Sequence, residues 1–146
     1  MSGPTGESPG FRSSSGSFVT DLIIGWNFGG QWLVHHYEPA HWFSLDGATT
    51  VTGLGGIAVT RYLAPEAPCW LLRFGLGSYE RWVFHASELE KADAGLGIGV
   101  GFGRELSPHL SLECDLTWGT PKVEADGFTS EMETLGVSLA VKALAY

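Results

Sequence analysis

Between Gly95 and Gly103 every second residue is glycine, and the positions between them are Leu96, Ile98, Val100 and Phe102. A period of two is the mark of a β-strand, whose successive side chains point to opposite faces. One face of this strand is therefore apolar and the other carries no side chain at all. Glycine weakens a strand, so a whole face of it requires something bulky close by. The next segment alternates as strictly, with Leu110, Leu112, Cys114, Leu116 and Trp118 against Ser111, Glu113, Asp115 and Thr117. A third sets Leu135, Val137, Leu139, Val141 and Ala143 against Ser138, Ala140 and Lys142. All three predict strands, and no helical stripe competes with them.

Four earlier segments follow the same pattern less cleanly. In 18–28, Phe18, Leu22, Ile24, Trp26 and Phe28 oppose Asp21 and Asn27. Residues 31–38 are strand-like, with no assignable faces. In 49–63, placing Arg61 on the polar face leaves Leu54, Ala58 and Tyr62 on the other. In 69–84, Trp70, Leu72, Phe74 and Leu76 oppose Leu71, Arg73, Gly75 and Gly77. Seven strands result. Their connections alternate between short turns built on Gly or Pro (29–30, 64–68 and 106–109) and long polar stretches (39–48, 85–93 and 119–134). That alternation predicts an all-β, antiparallel up-and-down barrel with tight turns at one rim and loops at the other. The Gly-, Ser- and Pro-rich residues 1–16 read as a disordered segment, and 17–146 as one barrel domain.

Composition narrows the setting. Charged residues make up 16% of the chain, against about 25% in an ordinary soluble domain. A formal net charge of -8 argues against nucleic acid as a partner, which needs a basic surface. Cys69 and Cys114 form no metal-binding or redox spacing and read as small apolar residues. No run of apolar residues is long enough for a transmembrane helix. The first residues, MSGPTGESPG, lack the basic and apolar regions of a secretory signal, so any export signal is expected upstream of Met1.

In hydrocarbon every backbone polar group must be paired within the protein, and a closed barrel is the only β solution. The polar phase of the predicted strands holds Asp21, Arg61, Arg73, Glu113, Asp115 and Lys142. These six are expected to form an ion-pair network plugging the barrel interior, because buried charges are tolerable only when paired. The glycine face is expected to make room for the long Arg and Lys side chains. Trp26, Trp32 and Trp70 fall by short turns, and Trp42, Trp82 and Trp118 by long loops. Two aromatic girdles at two membrane interfaces would place them so; tryptophan near strand ends for unrelated packing reasons is the plainer alternative.

The run GLGIGVGFGRELSPHLSLECDLTWG resembles the sixth and seventh strands of the eight-stranded outer-membrane β-barrel proteins of Gram-negative bacteria, the opacity and OmpA-like class. The segment TRYLAPEAPCWLLRFGLG is similar to that family's fourth strand, turn and fifth strand. The resemblance extends over about residues 17–146 and specifies architecture more than function. It implies a transmembrane barrel of eight strands in which seven are visible. A first strand and a signal segment, without counterpart here, are then expected upstream. It also implies an aromatic C-terminal assembly signal, for which Tyr146 supplies the aromatic on the Lys142 phase rather than the Val141 phase.

Candidate chemistry is sparse. His85, Ser87 and the neighbouring Glu88 and Glu90 resemble the His-x-Ser and acid of outer-membrane lipid A deacylases. They lie in a predicted loop, however, where catalysis lacks rigid support. His35 and His36 are adjacent and point to opposite faces, so with His41 they make a poor metal set. The glycine run lacks the Lys-Ser/Thr and helix of a nucleotide loop. The acidic stretches (Glu88, Glu90, Asp93; Glu124, Asp126, Glu131, Glu133) read as solvated faces. The sequence thus predicts a monomeric outer-membrane barrel in contact with lipid, without enzymatic activity, cofactor or metal. Its role would be structural, surface-exposed or in recognition of an unspecified surface ligand. The alternatives are a lipid A-modifying hydrolase using His85 and Ser87, and a soluble barrel carrying an apolar ligand.

Overall fold

The computed structural model describes residues 17–45, 47–86, 88–125 and 128–143, most of them in strands. Eleven strands follow one another: β1 (Ser17–Thr20), β2 (Ile23–Asn27), β3 (Trp32–Tyr37), β4 (Ala40–Leu45), β5 (Ala48–Tyr62), β6 (Cys69–Phe84), β7 (Leu89–Ser107), β8 (Leu110–Gly119), β9 (Lys122–Ala125), β10 (Phe128–Glu131) and β11 (Thr134–Ala143). Several are halves of one longer stave. β1 pairs with β4 and β2 with β3 in one unbroken register, interrupted only at Asp21–Leu22 and Glu38–Pro39. Pro39 has no N–H to give to the ladder, but its carbonyl still accepts from the Leu54 amide at 3.2 Å. The result is seven staves, every ladder antiparallel, forming a nearly closed barrel.

The all-β antiparallel expectation holds, while the loops are shorter than the sequence suggested. β4 occupies most of the predicted 39–48 connection and turns into β5 at Gly47, whose φ of +82° suits glycine alone. β7 starts at Leu89, inside the predicted 85–93 loop, and β9 pairs with β10 as a hairpin inside the predicted 119–134 loop. β4 and the start of β7 mix apolar and polar residues on each face, and β9 and β10 are only four residues long, so no sustained alternation marks them. At the other rim, Gly29 and Gly30 both take positive φ, and the Phe28 amide donates to the Trp32 carbonyl at 3.0 Å. Residues 1–16, Ser87, Asp126 and Tyr146, about which the sequence raised expectations, lie outside the described residues.

Polarity is inverted relative to a water-soluble domain. Leu72, Phe74, Leu76, Leu96, Val100, Phe102, Leu112, Val137, Leu139 and Val141 all face outward and are exposed. Arg73, Glu113, Asp115, Ser111, Thr117 and Lys142 are buried inside. The phase of β5 is the reverse of the one expected. Thr50, Thr52, Leu54, Ala58 and Thr60 point inward, and Ile57 and Val59 point outward with Arg61. Arg61 was a poor guide because it stands next to the strand's last residue, where a long side chain can lie along an apolar surface and keep its charge in water.

The glycine row of β7 is the floor of the interior. A Cβ on Gly99 would stand 2.8 Å from Tyr37 Cε1 and 3.1 Å from Leu54 Cδ2, and one on Gly97 would meet Leu54 and Tyr79. The bulk seated there is thus mainly Tyr37, Leu54 and Tyr79, which with Ala58 form a buried apolar cluster. This corrects the expectation that Arg and Lys stems fill that space; only Gly101 lies beside one, with Arg73 Cβ 3.1 Å away. A Gly99→Val variant should lose about 1–3 kcal/mol to overpacking, read from its denaturant midpoint. Val100→Leu, on the outward face of the same strand, should leave the midpoint close to that of the parent.

Candidate functional site

Register brings the charged residues together. Arg73 on β6 pairs with Gly101 on β7, and Gly101 pairs with Asp115 on β8. With no side chain between them, the guanidinium and carboxylate meet across the middle strand. Arg73 Nη1 donates to Glu113 Oε2 at 2.6 Å and to Asp115 Oδ1 at 3.4 Å. From β11, Lys142 Nζ reaches Asp115 Oδ2 at 2.8 Å, Glu113 Oε2 at 3.0 Å and Asp21 Oδ2 at 2.5 Å. All five side chains are nearly excluded from solvent, none above 8% exposed. At an effective dielectric of about 20, one charge pair at ~4 Å contributes roughly 4 kcal/mol of attraction. Desolvation offsets much of that, so the cluster's value depends on every member having its partner.

Neutral groups complete the network. Ser111 Oγ donates to Glu113 Oε1 at 2.7 Å, and Tyr37 Oη donates to Asp115 Oδ1 at 3.3 Å. Arg73 Nε donates to Thr60 Oγ1 at 3.0 Å, and Thr60 lies 2.9 Å from His35 Nε2. His35 Nδ1 is 2.8 Å from the His36 carbonyl, which can only accept, so Nδ1 carries the proton. The hydroxyl of Thr60 then donates to Nε2, and the relay from Arg73 to the His36 carbonyl is continuous with His35 neutral. The ring of Tyr37 lies under the guanidinium, 5.5 Å from its centre. Among the described residues His41 is also buried, 3.4 Å from Thr117 Oγ1.

Of the six residues singled out in the sequence, the structure brings together Asp21, Arg73, Glu113, Asp115 and Lys142. Arg61 is not among them. It faces outward with its guanidinium 4.7 Å from the centre of the Trp32 ring. Sequence reasoning missed His35, Tyr37 and Thr60. The faces of 31–38 could not be assigned because His35–His36 put similar residues on both, and Thr60 was lost when β5 was phased on Arg61.

The tryptophans all lie on the outward phase. Trp26, Trp32 and Trp70 are exposed near the short turns. Trp42 and Trp82 both register with Val51, and Trp118 lies between Ile98 and Leu135. Three of them carry a cation over the ring: Arg61 on Trp32, Arg104 on Trp70 at 5.5 Å, and Lys91 on Trp82 at 4.3 Å.

The catalytic alternative gathers little geometry. His85 Nε2 lies 3.7 Å from Glu90 Oε1 with both side chains about half or more exposed, and Ser87 is outside the described residues. His35 points inward and His36 outward, 4.0 Å from Glu38. No group of three metal-ligating side chains occurs among the described residues. Cys69 is buried and donates to Glu105 Oε2 at 3.3 Å, whereas Cys114 is exposed on the apolar face.

Replacing Arg73 with Met should cost about 3–5 kcal/mol, because Glu113 and Asp115 lose one of their two cations in a dry interior. A Leu72→Met change on the adjacent outward position should cost under about 1.5 kcal/mol. Equal shifts of the two denaturant midpoints would show that the cluster carries no special weight. Comparison with protein-family models, curated proteins and solved structures finds no match to this chain.

Proposed function

We propose that this chain is a small outer-membrane β-barrel, akin to the opacity and OmpA-like class, with a structural, surface or recognition role and an interior plugged by charge. One observation carries the reading: the long outward rows are apolar while the charges are paired inside. A soluble protein rarely exposes a contiguous apolar patch larger than a few hundred Å², and here the outward rows form one that only the β3–β4 stave interrupts, with the exposed His36 and Glu38. Lipid is the solvent in which that surface is stable, and the antiparallel ladders of the nearly closed barrel pair most of its backbone, the other demand of hydrocarbon.

The dimensions agree. Trp70 and Trp82 stand on the same strand, each with a cation over its ring. At ~3.3 Å per residue and a tilt of ~40°, the stretch between them rises roughly 30 Å. An apolar band of ~25 Å flanked by aromatic girdles is the pattern of outer-membrane barrels. Trp–cation pairs suit such a border, since each joins an apolar body to a polar tip.

The polar atoms of the ion cluster are largely occupied by one another, which favours a plug over a reaction centre. The soluble ligand-carrying alternative needs an apolar cavity, and the interior instead holds five paired charges. Among the described residues, which exclude Ser87, no geometry favours the hydrolase reading.

Cell fractionation tests the proposal: the protein should require detergent for extraction and give a heat-modifiable band on a gel. Recovery in the aqueous supernatant would contradict it. In vesicles, Leu76→Arg should cost about 2–4 kcal/mol, the penalty of a cation on the lipid face near the midplane. Were that face in water, the same substitution would leave stability nearly unchanged.

A further inference from the structure

One outward row differs from its neighbours. On the β3–β4 stave His35, Tyr37, Pro39 and His41 are buried, so the outward positions run Trp32, Val34, His36, Glu38, Ala40 and Trp42. The two ionisable residues stand midway between the two tryptophans. Register carries that level around the barrel: His36 pairs with Ile24 on one side and Ile57 on the other, and Ile57 pairs with Leu76. Leu76 in turn lies halfway between Trp70 and Trp82 on β6. His36 and Glu38 therefore sit in the middle of the apolar band, among the exposed Ile24, Ile57 and Leu76.

Beside them the surface is hollow. Register runs from Tyr37–Gly56 to Ala40–Gly53, which puts Glu38 next to Gly55, and Gly55 pairs with Ser78. A Cβ on Gly55 would meet nothing nearer than Ser78 Oγ at 4.0 Å. Ser78 Oγ is satisfied, donating to the Gly55 carbonyl at 3.3 Å. His36 and Glu38 approach each other only to 4.0 Å, which leaves their side chains 49% and 56% exposed. Ionisable side chains are costly at membrane depth and mark places where another polar surface meets them. Lipid tails are as apolar as leucine, so association within a bilayer relies on close approach at small residues and on polar contacts. This patch offers both. It also holds one acid and one imidazole, so it is complementary to itself, as a two-fold contact requires.

We propose that this face of the β3–β4 and β5 staves is a two-fold interface at which a second copy of the chain docks within the bilayer. The axis runs along the membrane normal between His36 and Glu38. His36 of each copy then faces Glu38 of the other, and the four side chains alternate in a ring shielded from lipid. The hollow at Gly55 lets the two outward rows approach closely. A different protein would have to bring its own matching acid and base at this depth, whereas a second copy already has them. The barrel is then a dimer in the membrane, not the monomer expected from the sequence. The interface presupposes the membrane reading, and the experiment below separates the two.

The full chain is refolded into phosphatidylcholine vesicles. Flotation on a density gradient reports insertion, and energy transfer between donor- and acceptor-labelled copies reports association as the lipid-to-protein ratio is varied. The protein should float with the vesicles and associate as a dimer. His36→Glu sets two acids on each face and should weaken association at least about tenfold. Adding Glu38→His to that variant reverses the pair but keeps it self-complementary, and should restore association to near the parent level. Each variant is compared only where its circular dichroism spectrum matches the parent's. Floated protein without energy transfer above that of random proximity would overturn the dimer and leave the membrane reading standing. So would association that His36→Glu does not weaken, or that the exchanged pair does not restore. Protein that stays outside the vesicles would overturn both.

Discussion

The charges of Arg73 and Lys142 have to meet those of Glu113, Asp115 and Asp21 somewhere that water does not reach, and this requirement orders the rest of the molecule. Strand side chains alternate, so fixing one inward residue on a strand fixes every second one. Placing Glu113 and Asp115 inside puts Leu112, Cys114 and Leu116 outside. Placing Arg73 inside turns Leu72 and Phe74 out, and Lys142 does the same for Val141 and Leu139. A slip of one residue in any of these ladders would bury a leucine row and strand a charge on the apolar face. The ion cluster is therefore a register lock.

The glycine strand makes that lock possible. β7 separates the arginine strand from the acid strand, and any side chain at position 101 would stand between Arg73 and Asp115. The same row seats Tyr37, Leu54 and Tyr79, so two layers fill the interior, one ionic and one apolar and aromatic. They join at Tyr37, whose hydroxyl donates to Asp115 while its ring lies under Arg73.

Much of this was legible in the sequence wherever one face was unambiguous. The Gly95–Gly103 row, the Ser111–Thr117 row and the Leu135–Val141 row each fixed strand and phase, and they carry three members of the cluster between them. Where both faces are mixed, pattern reasoning failed. His35–His36 concealed the inward Tyr37, and Arg61 at a strand end reversed β5 and hid Thr60. The strand segments near Ala40, Leu89 and Lys122 read as loops because each is short or mixes apolar and polar residues on one face. The ion pairs themselves depend on which strands neighbour which, a property of the closed ladder rather than of any one segment.

The proposed outer-membrane barrel requires that the outward apolar rows touch hydrocarbon while the carboxylates are sealed within. Nuclear Overhauser contacts from the methyl groups of Ile57, Leu72, Val100 and Val137, recorded in lipid nanodiscs, test that directly. Cross-peaks to acyl-chain protons, with broadening by a lipid-confined spin label and none by a water-soluble one, are the expected result. Cross-peaks to water and broadening by the soluble label at those methyls would contradict it.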